Sequence, residues 1–201
     1  DLESITCGVP QGSVLGPLLF ILYINDVAQL DSVKSLIKLF ADDTNLFISG
    51  RNILDIEQKA NHVITLIYEW MTANKLSLNL DKTYYMLFQP KRKKENVVNI
   101  HINLNGICIK QIHSANFLGV IIDDRLEWKD HIQDICTNLL KYSSIFYKIR
   151  NKIPKMTMKN IYFATVHPKL LYGIEMYANT CSSYLDRLYT CLLYTSDAAD
   201  D

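Results

Sequence analysis

The sequence lacks net charge: 21 Lys and Arg balance 21 Asp and Glu over 201 residues. That balance by itself argues against simple electrostatic capture of a polyanion. It also lacks any cysteine pattern. The five cysteines (Cys7, Cys108, Cys136, Cys181, Cys191) are odd in number and none forms a CxxC pair, so neither a zinc site nor a disulfide framework is indicated. A reducing, intracellular compartment fits such usage. No apolar run is long enough to cross a bilayer. The longest, Val14 to Ile24, is interrupted by Gly16 and Pro17 and lacks the basic start and cleavage site of a signal peptide. There is no internal repeat. There is no initiator Met either, and a chain that begins at Asp1 reads as a fragment.

What is present suits a globular protein. The composition is 49% hydrophobic and 21% charged, ordinary for a folded chain and wrong for a disordered one. The length allows one domain with a real core or two small ones. The charge is unevenly spread. From Ile135 to Ile174 there are seven basic residues (Lys141, Lys148, Arg150, Lys152, Lys155, Lys159, Lys169) and no acid, and Lys91 to Lys94 form a second cluster. Such segregation makes either a phosphate-facing stripe or a solvated face.

Hydrophobic periodicity divides the chain in two. In the first part, a Gly/Pro-punctuated loop (Cys7 to Pro17) precedes a helix from about Pro17 to Leu30, apolar nearly all round and so expected to be buried. IKLFADDTNLFI, Ile37 to Ile48, reads as a hairpin with Asp42 and Asp43 at its tip. Leu54 to Asn74 is helical by its spacing of Ile56, Ala60, Val63, Ile67 and Trp70. KTYYMLFQ, Lys82 to Gln89, reads as a buried strand, Asn99 to Gln111 as a hairpin turning at Asn105-Gly106, and Phe117 to Ile122 as a strand. Beyond Asp124 an apolar seam (Trp128, Ile132, Ile135, Leu139, Tyr142, Phe146, Ile149) marks a long helix. A second helix runs from about Met156 to Val166, and another segment surrounds Ser182 to Tyr189. The fold class expected is therefore α+β, residues 1–122, followed by a helical part, residues 123–190. CLLYTSDAADD, residues 191–201, shows neither periodicity and resembles a translated sequencing adapter; it is expected to be non-native, and without its three acids the remainder carries +3.

Two acids at a hairpin tip between apolar strands are costly to desolvate unless a cation neutralises them. Mg²⁺ usually takes one or two protein carboxylates together with substrate phosphates. Successive strand side chains point to opposite faces, so the two need not bind equally. A bare Asp-Asp pair is by itself weak evidence for this, since such pairs are more often acidic turns with both groups in water.

Context resolves that ambiguity. Gly8-Val9-Pro10-Gln11-Gly12-Ser13, continuing VLGPLLFILYIND, resembles motif B of the reverse transcriptases of non-LTR (LINE-type, particularly jockey-like) retrotransposons. Phe40-Ala41-Asp42-Asp43 resembles motif C, Trp70 with Asn74 to Phe88 motif D, and Phe117-Leu118-Gly119-Val120 motif E. Four motifs in family order, over about Gly8 to Tyr189, are a specific signal. The resemblance implies a partial right-hand polymerase palm, an antiparallel sheet with packed helices, followed by an α-helical thumb. It implies Mg²⁺ (or Mn²⁺) as cofactor, an RNA template, a DNA primer and deoxynucleoside triphosphates as partners, and no membrane; the location implied is nuclear, cytoplasmic or both.

By the same resemblance Asp42 is the metal ligand and Asp43 its neighbour in the site. Lys82 is the candidate base-charged group near the leaving pyrophosphate, with a solvent-facing strand-edge lysine as the alternative. Pro10, Gln11, Gly12 and Ser13 lie against template and nascent base pair, although Ser13 is equally suited to capping the next helix. Phe117, Leu118 and Gly119 form the primer grip, and Lys141, Lys148, Arg150, Lys152 and Lys155 follow the duplex phosphates without reading sequence.

The family's motif A, with a further metal-binding Asp, and its fingers lie upstream of motif B and have no counterpart here. Losing one preorganised electrostatic group typically costs roughly 10²–10³ in rate, so the chain as it stands is expected not to polymerise. The family's endonuclease and its C-terminal Cys/His region have no counterpart either. Two further readings stay open: a group II intron-like or other retroelement polymerase, and the product of a decayed element with only residual nucleic-acid binding.

Overall fold

A computed structural model describes residues 12–30, 35–89 and 100–200, the last seven as helix backbone only. Mixed helix and sheet are seen, as the α+β expectation requires. The chain forms two compact units: residues up to 85 with 95–110, and residues 86–94 with those from 111 onward.

In the first unit, helix α1 (Gly16–Ile24) starts with Pro17 in its first turn, where a missing N–H costs nothing, and a short 3₁₀ turn (Asn25–Gln29) extends it. Strands β1 (Ser35–Phe40) and β2 (Asp43–Ile48) form an antiparallel hairpin. Helix α2 (Ile53–Ala73) begins at Asn52, whose side chain accepts the Asp55 N–H at 2.8 Å and so satisfies a helix-end donor. Its apolar stripe, Val63, Ile67 and Met71, meets Ile24, Val27 and Ile37 to form the core, with Leu39, Leu46 and Trp70 packed around it. Three two-residue strands follow: β3 (Tyr84–Tyr85), β4 (Asn103–Leu104) and β5 (Ile107–Cys108). Between β4 and β5 Asn105 and Gly106 both take positive φ (+50° and +81°), the type I′ geometry expected of Asn-Gly. Asn61 of α2 fixes this segment, donating to the His101 carbonyl (2.9 Å) and accepting from the Asn103 N–H (2.8 Å).

Strand β6 (Lys110–Gln111) leads to the second unit, which opens with the β7 (Ser114–Phe117) and β8 (Val120–Asp123) hairpin. Helices α3 (Lys129–Ile149), α4 (Lys155–Thr165), α5 (His167–Leu171), α6 (Ile174–Tyr177) and α7 (Ser182–Asp200) complete it. Asp123 links hairpin to helix: its carboxylate accepts the N–H groups of Arg125 (3.0 Å), Glu127 (2.9 Å) and Trp128 (2.7 Å), pairing donors of the loop that leads into α3. The seam read from sequence is the core: Trp128, Ile132, Ile135, Leu139 and Phe146 are buried with Val120, Met158, Val166, Tyr177 and Leu188, and α7 packs along α3. It is a seam of domain packing, not a coiled coil.

Four expectations need correction. Helix α1 is not buried all round: Leu18, Leu19, Ile21, Leu22 and Tyr23 are exposed, because only its Phe20 and Ile24 side meets the core. Lys82 to Gln89 is not a buried strand; pairing is confined to Tyr84–Tyr85, and Lys82 ends a 3₁₀ turn started by Asn79. Phe117 to Ile122 is not one strand but a reversal between two, since Leu118-Gly119 takes the turn conformation. The tail is not aperiodic in structure: α7 continues through it to Asp200, and Cys191 is buried in the core. Among the described residues no helix is long and apolar enough to cross a membrane.

His131 is the buried polar residue of the second core. Its Nδ1 accepts the Ile121 N–H at 3.3 Å, its Nε2 has no partner among the described residues, and the ring stands edge-on to Tyr177. Burial lowers its pKa below the ordinary imidazole value, against a smaller opposing pull from Asp134. The folded state thus disfavours the proton that the unfolded chain accepts near pH 6.5, so this contribution is intact above that pH and lost as pH falls. Thermal melts should show a lower midpoint at pH 5.5 than at pH 7.5, and His131→Gln should shrink that difference; an equal drop in both proteins would refute the assignment.

Candidate active site

The register of the first hairpin decides where its acids stand. Phe40 pairs with Asp43, which leaves only Ala41 and Asp42 to reverse the chain. So short a loop demands a left-handed residue, and Ala41 supplies it at φ +50°. A non-glycine residue there costs about 1–2 kcal/mol, strain of a kind that concentrates at functional sites.

Asp42 therefore projects from the tip and Asp43 opens β2, both exposed. Alternation puts Ile37, Leu39 and Leu46 on the core face and Asp43 on the other, with Leu36, Lys38, Phe40, Asn45 and Phe47. Phe40 is 59% exposed and Leu36 52%, so Asp43 stands on an apolar surface. Anything covering that surface would strip water from a carboxylate and call for a neutralising cation. Among the described residues no three His, Cys, Asp or Glu side chains gather into a metal cage. The pair matches the one or two carboxylates that Mg²⁺ takes from protein when other ligands come from elsewhere.

The other expected residues of the first unit are dispersed around it. Gly12 has φ +84° with open space where a Cβ would lie, so it serves backbone conformation and not close packing. Ser13 Oγ accepts the Gly16 N–H at 3.0 Å, tying the loop to the first residue of α1. Pro10 and Gln11 lie outside the described residues, as does the Lys91–Lys94 cluster. Lys82 is exposed; its backbone N–H donates to Asn79 Oδ1 (3.3 Å), and among the described residues its side chain pairs with neither Asp42 nor Asp43.

In the second unit the β7–β8 turn is again two residues long, with both of them left-handed. Phe117 pairs with Val120, and Leu118 and Gly119 between them both have positive φ, +49° and +84°. Gly119 is free of penalty there, Leu118 is not. The Gly119 N–H donates to Asn116 Oδ1 at 3.0 Å, and the Leu118 carbonyl accepts the Tyr172 hydroxyl at 2.5 Å. Neither Asn116 nor Tyr172 was evident from sequence; Tyr172 is 54 residues from its partner and sits in no motif.

Of the basic set, Lys141, Lys148, Lys152 and Lys155 are exposed on α3, α4 and the link between them. Arg150 is half-buried, its guanidinium 4.3 Å from the centre of the Tyr147 ring. Tyr147 itself is exposed, so cation and aromatic face are offered to solvent together.

These motifs and their placement define a nucleic-acid polymerase class. Residues 3–122 match the reverse transcriptase (RNA-dependent DNA polymerase) family, and the chain belongs to it. It is 30% identical over 192 residues to a probable RNA-directed DNA polymerase from transposon X-element of Drosophila melanogaster, covering 92% of this chain and 21% of that protein. The RNA-directed DNA polymerase from mobile element jockey of the same fly is 27% identical over 198 residues, 94% of this chain and 21% of its own length. The Pol polyprotein of type-1 retrotransposable element R1 from Nasonia vitripennis is 26% identical over 136 residues, 66% of this chain and 40% of that protein. The chain thus spans about a fifth of the length of the first two relatives. No solved structure matches it.

Since glycine adopts positive φ without a Cβ penalty, Ala41→Gly should leave the stability of the 201-residue chain unchanged or raise it by up to about 1 kcal/mol, offset in part by chain entropy. Ala41→Val should lower it by about 1 kcal/mol or more. Denaturant unfolding of the three proteins tests this; a destabilising glycine would mean that Ala41 is not held in the left-handed region.

Proposed function

We propose that this chain is the partial palm and the thumb of a non-LTR retrotransposon reverse transcriptase, which copies an RNA template from a DNA primer using deoxynucleoside triphosphates. The observation that carries the reading is the exposed Asp42–Asp43 pair on a strained two-residue tip inside the family-matched segment. In the reaction the primer 3′ oxygen bonds to the α-phosphorus of the nucleotide and the bond to pyrophosphate breaks. Magnesium or manganese bound by Asp42, with Asp43 beside it, would supply activation of that oxygen and neutralisation of the leaving charge.

The protein's own contribution is placement. Asp42, on a tip with little freedom, holds its carboxylate toward the reacting phosphates while Asp43 orients and balances charge on the apolar face. Lys82, exposed at the end of its 3₁₀ turn, is the group we assign to the leaving pyrophosphate as electrostatic stabiliser or proton donor. Pro10, Gln11 and Gly12 would border template and nascent pair, with Ser13 holding the loop to α1. Phe117, Leu118 and Gly119 would seat the primer end, and such orientation contributes several kcal/mol to a transfer reaction. Lys141, Lys148, Arg150, Lys152 and Lys155 would follow the hybrid's phosphates, within an intracellular setting.

In a polymerase carrying this segment together with motif A, Asp42→Asn should reduce Mg²⁺-dependent extension of a primed RNA template by roughly 10²–10³-fold or more, in line with loss of a preorganised charge. Binding of the same duplex should change little. Extension at the wild-type rate would remove the metal role.

The 201-residue chain should bind RNA–DNA hybrids of unrelated sequence alike, with a log–log salt slope between about −3 and −5 for that many phosphate contacts. Affinity that stays flat from 50 to 200 mM salt, instead of falling on the order of 10²–10³-fold, would count against the basic face.

A further inference from the structure

The β7–β8 turn is seated on the corner where α5 passes into α6, within one compact unit. Two contacts make the seat. Tyr172, which ends α5, donates its hydroxyl to the Leu118 carbonyl at 2.5 Å. Its ring also fills the space beside Gly119: a Cβ on that glycine would lie 3.1 Å from Tyr172 Cε1. The next residue, Gly173, answers from the other side, since a Cβ there would lie 3.0 Å from Val120 Cγ2. Both glycines have positive φ (+84° and +69°), and each takes a neighbouring side chain into the space that its own Cβ would fill.

The partner of that hydroxyl is the strained residue. Leu118 holds φ +49°, a conformation its side chain disfavours and surrounding structure must impose. The Asn116 side chain binds the Gly119 N–H from within the hairpin. Tyr172 binds the Leu118 carbonyl from outside it, so the outward direction of this peptide is set by the helices.

We propose that Tyr172 is a positioning residue for primer-end placement: it holds the Leu118–Gly119 turn in its left-handed conformation and makes the turn move as one piece with the α5–α6 corner. This rests on the reading of that turn as a primer grip. Tyr172 does not touch the reacting atoms; it acts through the Leu118 carbonyl and the Gly119 backbone. Any shift of the helices on duplex would then carry the primer-side turn with it, whereas a turn held by Asn116 alone would stay behind.

The test is Tyr172→Phe, which keeps the ring against Gly119 and removes only the hydroxyl. In the 201-residue chain, amide hydrogen exchange at Leu118, Gly119 and Val120 should accelerate roughly 3- to 10-fold, the range expected for one lost hydrogen bond. The thermal midpoint and the exchange of α3 should stay close to wild type. Tyr172→Ala, which empties the seat, should accelerate the same amides further. Unchanged exchange in both variants overturns the coupling.

In a polymerase carrying this segment and motif A, Tyr172→Phe should lower the single-nucleotide kcat by about tenfold, a misplacement effect. The Kd for primer–template should change less than twofold. A weaker Kd with unchanged kcat, or no change in either, overturns the positioning role even where exchange responds. Asp42→Asn in the same preparation separates the two failures: if that variant also extends normally, the polymerase reading itself has failed.

Discussion

Strand pairing carried to the last residue before a reversal is the constraint on which the functional geometry depends. In both hairpins that carry candidate chemistry, the partners next to the tip are paired, Phe40 with Asp43 and Phe117 with Val120. Two residues must then turn the chain, and right-handed strand twist makes a left-handed residue the means of doing so. Asn105-Gly106 meets the demand with residues suited to it, whereas Ala41 and Leu118 meet it with residues that are not. A tip of that kind has few alternative conformations. Strain and rigidity arise together, and rigidity is what a site that orients reacting groups requires.

The two units support their tips differently. The β1–β2 hairpin is anchored from below: Ile37, Leu39 and Leu46 enter the core shared with α1 and α2, leaving the acid-bearing face open. The β7–β8 hairpin is anchored at its end by Asp123, whose carboxylate binds three loop N–H groups before α3, and at its tip by Tyr172. One surface is therefore available to ligand while the other is locked to helices.

Apolar exposure has a consistent pattern in the first unit. Leu18, Ile21 and Leu22 of α1, and Leu36, Phe40 and Phe47 of the hairpin, all face outward. The side chains used for the core are the minority of each apolar element. Continuous apolar sequence without a matching cover within the described residues is the signature of surface meant to be buried by further protein or substrate. Helix α1 reads as buried from sequence because its apolar residues run nearly all round, yet only its Phe20 and Ile24 side meets the core.

Periodicity alone was enough to reveal α2, α3 and α4, the Asn-Gly hairpin and the placement of Asp42 and Asp43 at a tip, because each depends on short-range spacing and on turn chemistry. Motif order alone was enough to indicate the polymerase family. What tertiary structure decided lies at larger separation. It showed Leu118-Gly119 as a reversal and not mid-strand, because Val120 must enter the core that Trp128 and Tyr177 build. It confined the Tyr84–Tyr85 strand to two residues, since Asn79 starts a 3₁₀ turn just before it. It also brought Tyr172 to the Leu118-Gly119 turn, a contact that no local pattern encodes. Spacing along a chain specifies which face a residue occupies; which distant group fills the space beside a glycine is settled only when helices pack.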